Sequence, residues 1–282
     1  MDMKGMTMGR TLSGAAVVMA TVGCAPPSHK LPAELTEPLR QVVYVGPPVN
    51  AEVSYLRAGD ATGTRVILVH GTPGSAEAWT DYLLHPPAGV DLIALDRPGF
   101  GRSGPQDAVT SLAAQAAAVA ALLPADGRRA VLLGHSLGGA VVARVAAEYP
   151  GRVSALVLLA SSLDPAQEKI HPVQPVAAIW PFRTMLSRAL RNSNEELMVF
   201  KAELEQLQPM LSRVKAPFII VHGTDDDLVP FANVAYMQAH LGGAGCSKTV
   251  VLQGLNHFLP WNAEHDVRDA IQWATSVSGA GC

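Results

Sequence analysis

The stretch Ala130-Val131-Leu132-Leu133-Gly134-His135-Ser136-Leu137-Gly138-Gly139 decides the reading of this 282-residue chain. Four apolar residues make a strand-like run, glycines allow a turn too tight for side chains, and a helical pattern follows through 137–149 until Pro150 closes it. The pattern is G-x-S-x-G set between a strand and a helix. A serine at such a turn is strained, with its hydroxyl exposed. The next helix points its N-terminus at that serine, so its dipole favours negative charge there. Ser136 is the candidate nucleophile.

Outward from the turn, apolar runs recur at Val66–Val69, Val90–Leu95, Ala155–Leu159, Pro217–Val221 and Thr249–Leu252, each bounded by turn residues. Unbroken rather than alternating runs suit strands buried on both faces of a parallel sheet. Shorter β-type runs stand at 41–45 and 52–57, and helical stretches at 107–123 and 263–276. This strand–helix alternation predicts an α/β fold with a doubly wound, mostly parallel sheet. It breaks between Leu163 and Arg213, where Pro165, Pro172, Pro175 and Pro181 precede a helical pattern over Glu195–Leu211. Ligand sites in such sheets lie beyond the carboxyl ends of the strands, so an insert leaving there is expected to form a small helical lid. Its apolar residues Ile179, Trp180, Phe182, Met185, Leu186 and Leu190 are expected either to pack as lid core or to line a pocket for an acyl chain.

Two further segments extend the pattern. His70-Gly71-Thr72-Pro73-Gly74 follows a strand, and Asp96-Arg97-Pro98-Gly99-Phe100-Gly101-Arg102-Ser103 spells D-x-x-G-x-G-x-S after the next one. With the serine turn they resemble the α/β-hydrolase fold family from about residue 40 to 277. The organisation this implies is a core of residues 49–162 and 214–277, a lid insert at 163–213, a Pro-rich linker at 24–48 and a signal segment at 1–23.

A hydroxyl of ordinary acidity is a poor nucleophile and needs a base held by a third group. In this fold the chain order is Ser, then Asp or Glu, then His. The run Pro217–Val221 leads into His222-Gly223-Thr224-Asp225-Asp226-Asp227-Leu228-Val229-Pro230, and Thr249–Leu252 into Gly254-Leu255-Asn256-His257. The register of the resemblance selects Asp226, with Asp225 and Asp227 as alternatives. Of nine histidines, only His257 combines a loop after a strand, the right chain order and a nearby preceding glycine. His70, His135 and His222 belong to loops of the resemblance and are expected to orient backbone. The resemblance implies attack by Ser136, proton transfer through His257, an imidazole held by Asp226 and an oxyanion hole from the N–H groups of Thr72 and Leu137. No metal or cofactor is expected.

The first residues read differently. Thr11 to Gly23 is uncharged, shorter than the roughly 20 apolar residues of a membrane span, and suits the apolar core of a secretory signal. It ends in Thr21-Val22-Gly23-Cys24 before Ala25-Pro26-Pro27, which resembles a bacterial lipoprotein signal lipidated on the cysteine. Thr21 departs from the leucine preferred three residues before that cysteine. An ordinary cleaved signal or a retained N-terminal helix is the alternative. Setting Cys24 aside leaves Cys246 and Cys282 as a candidate disulfide, which an oxidising compartment would permit. The expected location is the cell envelope, periplasmic or lipid-anchored, with the cytoplasm as alternative.

Composition bounds the rest. Apolar residues make 49% and charged residues 16%, which excludes intrinsic disorder. A net charge of -3 and no Lys/Arg run longer than Arg128-Arg129 argue against nucleic acid as a partner. The expected partner is a small-molecule ester or acyl substrate, and carboxylic ester hydrolysis is the least committed reading. Acyl transfer, thioester or C–C hydrolysis and haloperoxidase chemistry share the serine turn. A non-catalytic envelope binding protein is the reading from another class.

Overall fold

Eight strands and their covering helices are built from the apolar runs read above, in a computed structural model that describes residues 33–242 and 246–280. The expected signal segment 1–23, Cys24 and Cys282 lie outside the described residues. The strands are β1 (Arg40–Val45), β2 (Ala51–Gly59), β3 (Thr64–Val69), β4 (Val90–Leu95), β5 (Ala130–His135), β6 (Val153–Leu159), β7 (Phe218–Gly223) and β8 (Ser247–Leu252). They form one sheet in the order β1-β2-β4-β3-β5-β6-β7-β8. β1, β2 and β4 pair antiparallel, and the pairs from β4 through β8 are parallel. The Pro-rich stretch 24–48 is therefore not linker throughout. Arg40–Val45 pairs with β2 from Arg40↔Leu56 to Val45↔Ala51, because a β-prone Val-Val-Tyr-Val run satisfies its backbone by adding an edge strand.

The main helices are α1 (Leu112–Ala120), α2 (Leu137–Glu148), α3 (Arg188–Leu207), α4 (Ala232–His240) and α5 (Glu264–Ala280). Alternate strand residues face opposite sides although both sides are buried. Ile67, Val69 and Leu132 join the core that holds α1 and α2, while Val66, Leu68, Val131 and Leu133 join the core that holds α5 and Trp79. Among the described residues no helix is long and apolar enough to cross a membrane.

Parallel register decides where the chemistry sits. Val69 of β3 stands opposite Gly134 of β5, His135 opposite Leu159 of β6, and Leu159 opposite Val221 of β7. The loops that leave β3, β5, β7 and β8 consequently emerge at one edge of the sheet. They carry Thr72, Ser136, Asp226 and His257 respectively.

The segment between β6 and β7 is helical, as expected, but it packs differently. Two four-residue helices, Gln174–Ala177 and Phe182–Met185, precede α3. Ile179, Trp180, Phe182 and Met185 lie on the surface, Trp180 at 80% exposure, rather than in a lid core or a pocket wall. A single helical turn has too little surface to bury a ring against a neighbour. Of the six apolar residues singled out in the sequence, Leu190 on the first turn of α3 is the one that reaches the cavity wall.

Candidate active site

The turn after β5 carries its serine in a conformation few residues adopt. Ser136 has φ 57° and ψ -128°, outside the ordinary regions for an L-residue, at a cost of about 1–3 kcal/mol. The surroundings over-determine it. The Ser136 N–H donates to the Leu159 carbonyl at 3.0 Å, and the Ser136 carbonyl accepts from Gly139 N at 2.9 Å and Ser162 N at 3.3 Å. A Cβ on Gly138 would collide with the carbonyl oxygens of Val69 and His70, so only glycine lets α2 approach β3 so closely.

The carboxylate comes from the loop after β7. Asp226 is buried, and its Oδ1 accepts from Leu228 N at 3.0 Å and Val229 N at 2.8 Å. Its Oδ2 lies 2.8 Å from His257 Nδ1 and 3.5 Å from His222 Nε2. Burial pushes the Asp226 carboxyl upward, but the His257 hydrogen bond and charge, helped by Val229 N–H and His222, hold it below its ordinary value. Asp225 and Asp227 are exposed, and Asp225 accepts instead from the Thr224 hydroxyl at 2.9 Å. Of the three adjacent aspartates, Asp226 is the one that meets His257.

Three other buried histidines are anchors of backbone. His70 Nδ1 donates to the Gly71 carbonyl at 2.7 Å, and its Nε2 accepts from Arg97 N at 3.0 Å. His135 Nε2 lies 3.0 Å from the carbonyl of His257, and His222 Nε2 lies 3.0 Å from that of Val229. Burial pushes all three imidazoles down, His70 well below its ordinary value and His135 to about 3. His135 thereby holds the main chain of the very residue whose ring faces Asp226.

Ser136, His257, Thr72 and Leu137 line one cavity of about 690 Å³. Thr72 and Leu137 backbone N–H groups donate to no protein acceptor among the described residues. No hydrogen bond joins Ser136 Oγ to His257 among the described residues. Glu168 stands on the wall, hydrogen-bonded to the Ser162 hydroxyl, and burial raises its carboxyl despite that bond. No group of three or more His, Cys, Asp or Glu among the described residues is arranged to hold a metal ion. Cys246 is disulfide-bonded, while its expected partner Cys282 lies outside the described residues.

Two residues were not anticipated from the sequence. Glu196 of α3 and Arg97 of the D-x-x-G-x-G-x-S turn form a buried ion pair at 2.7 Å beneath the Thr72 loop. A signal for Glu196 was present. It falls on the inward stripe of α3 with Ser193, Phe200, Leu204 and Leu207, where an unpartnered acid would be costly.

A family model of the alpha/beta hydrolase fold matches residues 64–192. The chain is 30% identical over 252 residues to a non-heme chloroperoxidase of Streptomyces lividans, covering 73% of this chain and 89% of that one. It is 27% identical over 227 residues to a pimeloyl-[acyl-carrier protein] methyl ester esterase of Edwardsiella ictaluri, covering 68% and 85%. Its fold is similar to that of the Paleococcus ferrophilus monoacylglycerol lipase, with a TM-score of 0.65 at 20% identity over 79% of this chain and 98% of that one. Strand order, serine turn and relatives agree: the chain belongs to the α/β-hydrolase fold family.

Proposed function

We propose that this protein is a serine hydrolase that cleaves carboxylic esters, with Ser136 as nucleophile, His257 as proton shuttle and Asp226 as the group that orients it. The observation that carries the reading is the Asp226–His257 hydrogen bond at 2.8 Å, on the same cavity as the strained Ser136. With Nδ1–H bound to Asp226, Nε2 of His257 is left free to take the serine proton. Contacts between nucleophile and base commonly tighten only when substrate binds, so Ser136 Oγ closes on His257 in the Michaelis complex. The free N–H groups of Thr72 and Leu137 then receive the oxyanion. His257 returns the proton to the leaving alcohol, and water releases the acid by the reverse path.

The wall composition narrows the substrate. Glu168, Asp225 and Asp227 line the cavity with apolar Trp79, Phe200 and Phe258, and among the described residues no lysine or arginine lines it. Such a site disfavours esters carrying their own carboxylate or phosphate and favours neutral ones. Residues 163–213 roof the site in this proposal. Residues 1–23 direct export and Cys24 carries the lipid, and the disulfide at Cys246 supports an oxidising compartment.

The test is hydrolysis of p-nitrophenyl esters from acetate to octanoate by the full-length chain and its Ser136→Ala variant. Loss of at least about 10⁴-fold in kcat supports the reading. Equal rates in the two proteins overturn it. The Streptomyces lividans relative favours a second reading at the same serine, so chloride oxidation with peroxide is assayed in parallel.

A further inference from the structure

The helix α3 is fastened to the core by side chains on one face. Arg188 donates to the carbonyls of Gly101 at 2.9 Å and Pro105 at 2.8 Å, and Asn192 Nδ2 to that of Gly99 at 2.8 Å. Four residues further along, Glu196 meets Arg97. The spacing 188, 192, 196 is the i, i+4, i+8 row of a helix, laid along the loop that contains Arg97.

Arg97 has its donors aimed at four acceptors. Its Nε donates to the His70 carbonyl at 3.0 Å, and Nη2 to the Gly71 carbonyl at 2.9 Å. Nη1 and Nη2 donate to the two oxygens of Glu196 at 2.7 and 3.0 Å. Glu196 Oε2 also accepts the Thr72 hydroxyl at 2.7 Å, and Oε1 accepts Gln115 Nε2 at 3.2 Å. The guanidinium is fully buried and the carboxylate is 3% exposed, so water competes with none of these bonds. Three consecutive residues of the loop after β3 are thus held: His70 and Gly71 by their carbonyls, Thr72 by its side chain. What this leaves unbonded is the Thr72 N–H.

We propose that Glu196 is a positioning residue: through Arg97 and the Thr72 hydroxyl it fixes the Thr72 N–H where the oxyanion forms. The inference rests on the hydrolase reading of the site. It makes the β6–β7 insert a working part of the oxyanion hole and not merely its cover. A bidentate carboxylate suits this task, because one group must hold a guanidinium plane and a hydroxyl at once.

Thr72→Val removes the hydroxyl, keeps the side-chain volume and leaves the Arg97–Glu196 pair intact, so it tests the link without unpairing a buried charge. The expected result is a fall in kcat of about 10- to 100-fold with KM within about threefold, since a misplaced oxyanion donor is felt in the transition state. Affinity for an alkyl boronic acid, which forms a tetrahedral anion on the serine, falls by the same factor. Thr72→Ser recovers most of both losses. The second probe is the double variant Arg97→Met/Glu196→Met, because replacing a buried pair by apolar residues commonly preserves folding where a single replacement does not. It is expected to melt cooperatively and to show the same kcat and boronate losses. Folded Thr72→Val and double variants with wild-type kcat and boronate affinity overturn the inference while leaving the hydrolase reading in place. Wild-type protein inert on every ester and blind to boronate overturns both.

Discussion

The turn at residues 134–139 lines the cavity, the rim of the insert at residues 170–185 stands outside the cavity wall, and the chain builds the two in opposite ways. At the turn, nearly every position is dictated by a neighbour: Ser136 is locked at φ 57°, Gly138 lies against the β3 carbonyls, and His135 holds the His257 main chain. At the rim, two single-turn helices leave Ile179, Trp180 and Met185 at 57%, 80% and 73% exposure. The difference teaches where precision is needed. The nucleophile proposed at Ser136 must be placed to within a fraction of an ångström, whereas a rim needs only shape and can rest on few contacts.

The largest expected break in that contrast is chemical. Asp226→Asn keeps the volume of the turn's partner but removes the charge that faces His257, and kcat is expected to fall by about 10⁴-fold in ester assays. A loss below tenfold would place the orienting group elsewhere.

A structural break comes next. Gly138→Val drives a branched side chain into the β3 carbonyls and is expected to cost at least about 3 kcal/mol in urea denaturation. A variant within 1 kcal/mol of wild type, about the spread of tolerated swaps, would show that the turn is not over-determined.

A third comparison sharpens through pH. The folded-state pKa of His135 is about 3, below the unfolded value of about 6.5. The stabilisation from keeping it neutral is therefore fully present above about pH 6.5 and is lost as pH falls toward about 3. His70 and His222 are shifted in the same direction and add to the slope. In His135→Asn, stability between pH 6.5 and 4 is expected to fall less steeply, by about 1.4 kcal/mol per pH unit for the missing proton. Unfolding curves at three pH values read that slope, and an unchanged one would put the acid sensitivity elsewhere. The smallest effect belongs to the rim: Trp180→Ser is expected to shift stability by less than about 0.5 kcal/mol, against several for Trp79→Ala in the core.

The legibility of the chain follows the same divide. Val90–Leu95 reads as a strand and is one to the residue, because apolar runs flanked by turn signals have few other ways to bury themselves. The glycine-bounded turn was legible because its backbone demands show as residue types. Asp226 could be singled out from Asp225 and Asp227 only through register against known relatives, since three adjacent carboxylates look alike to local rules. Exposure of Ile179 and Trp180 was not legible, because apolar character predicts burial and only the shortness of the helices they flank denies it. Arg97 and Glu196 lie 99 positions apart: the inward stripe of α3 marks Glu196 as a buried acid, but nothing local names Arg97 as its partner.

The row Arg188, Asn192, Glu196 also has a meaning for protein engineering. It makes α3 a part with a defined fitting, three side chains on one face that mate with fixed carbonyls and one guanidinium on the core. Exchange of the β6–β7 insert for that of another fold member should succeed when the incoming helix carries that fitting, and the rest of the insert is then open to redesign for a differently shaped ligand.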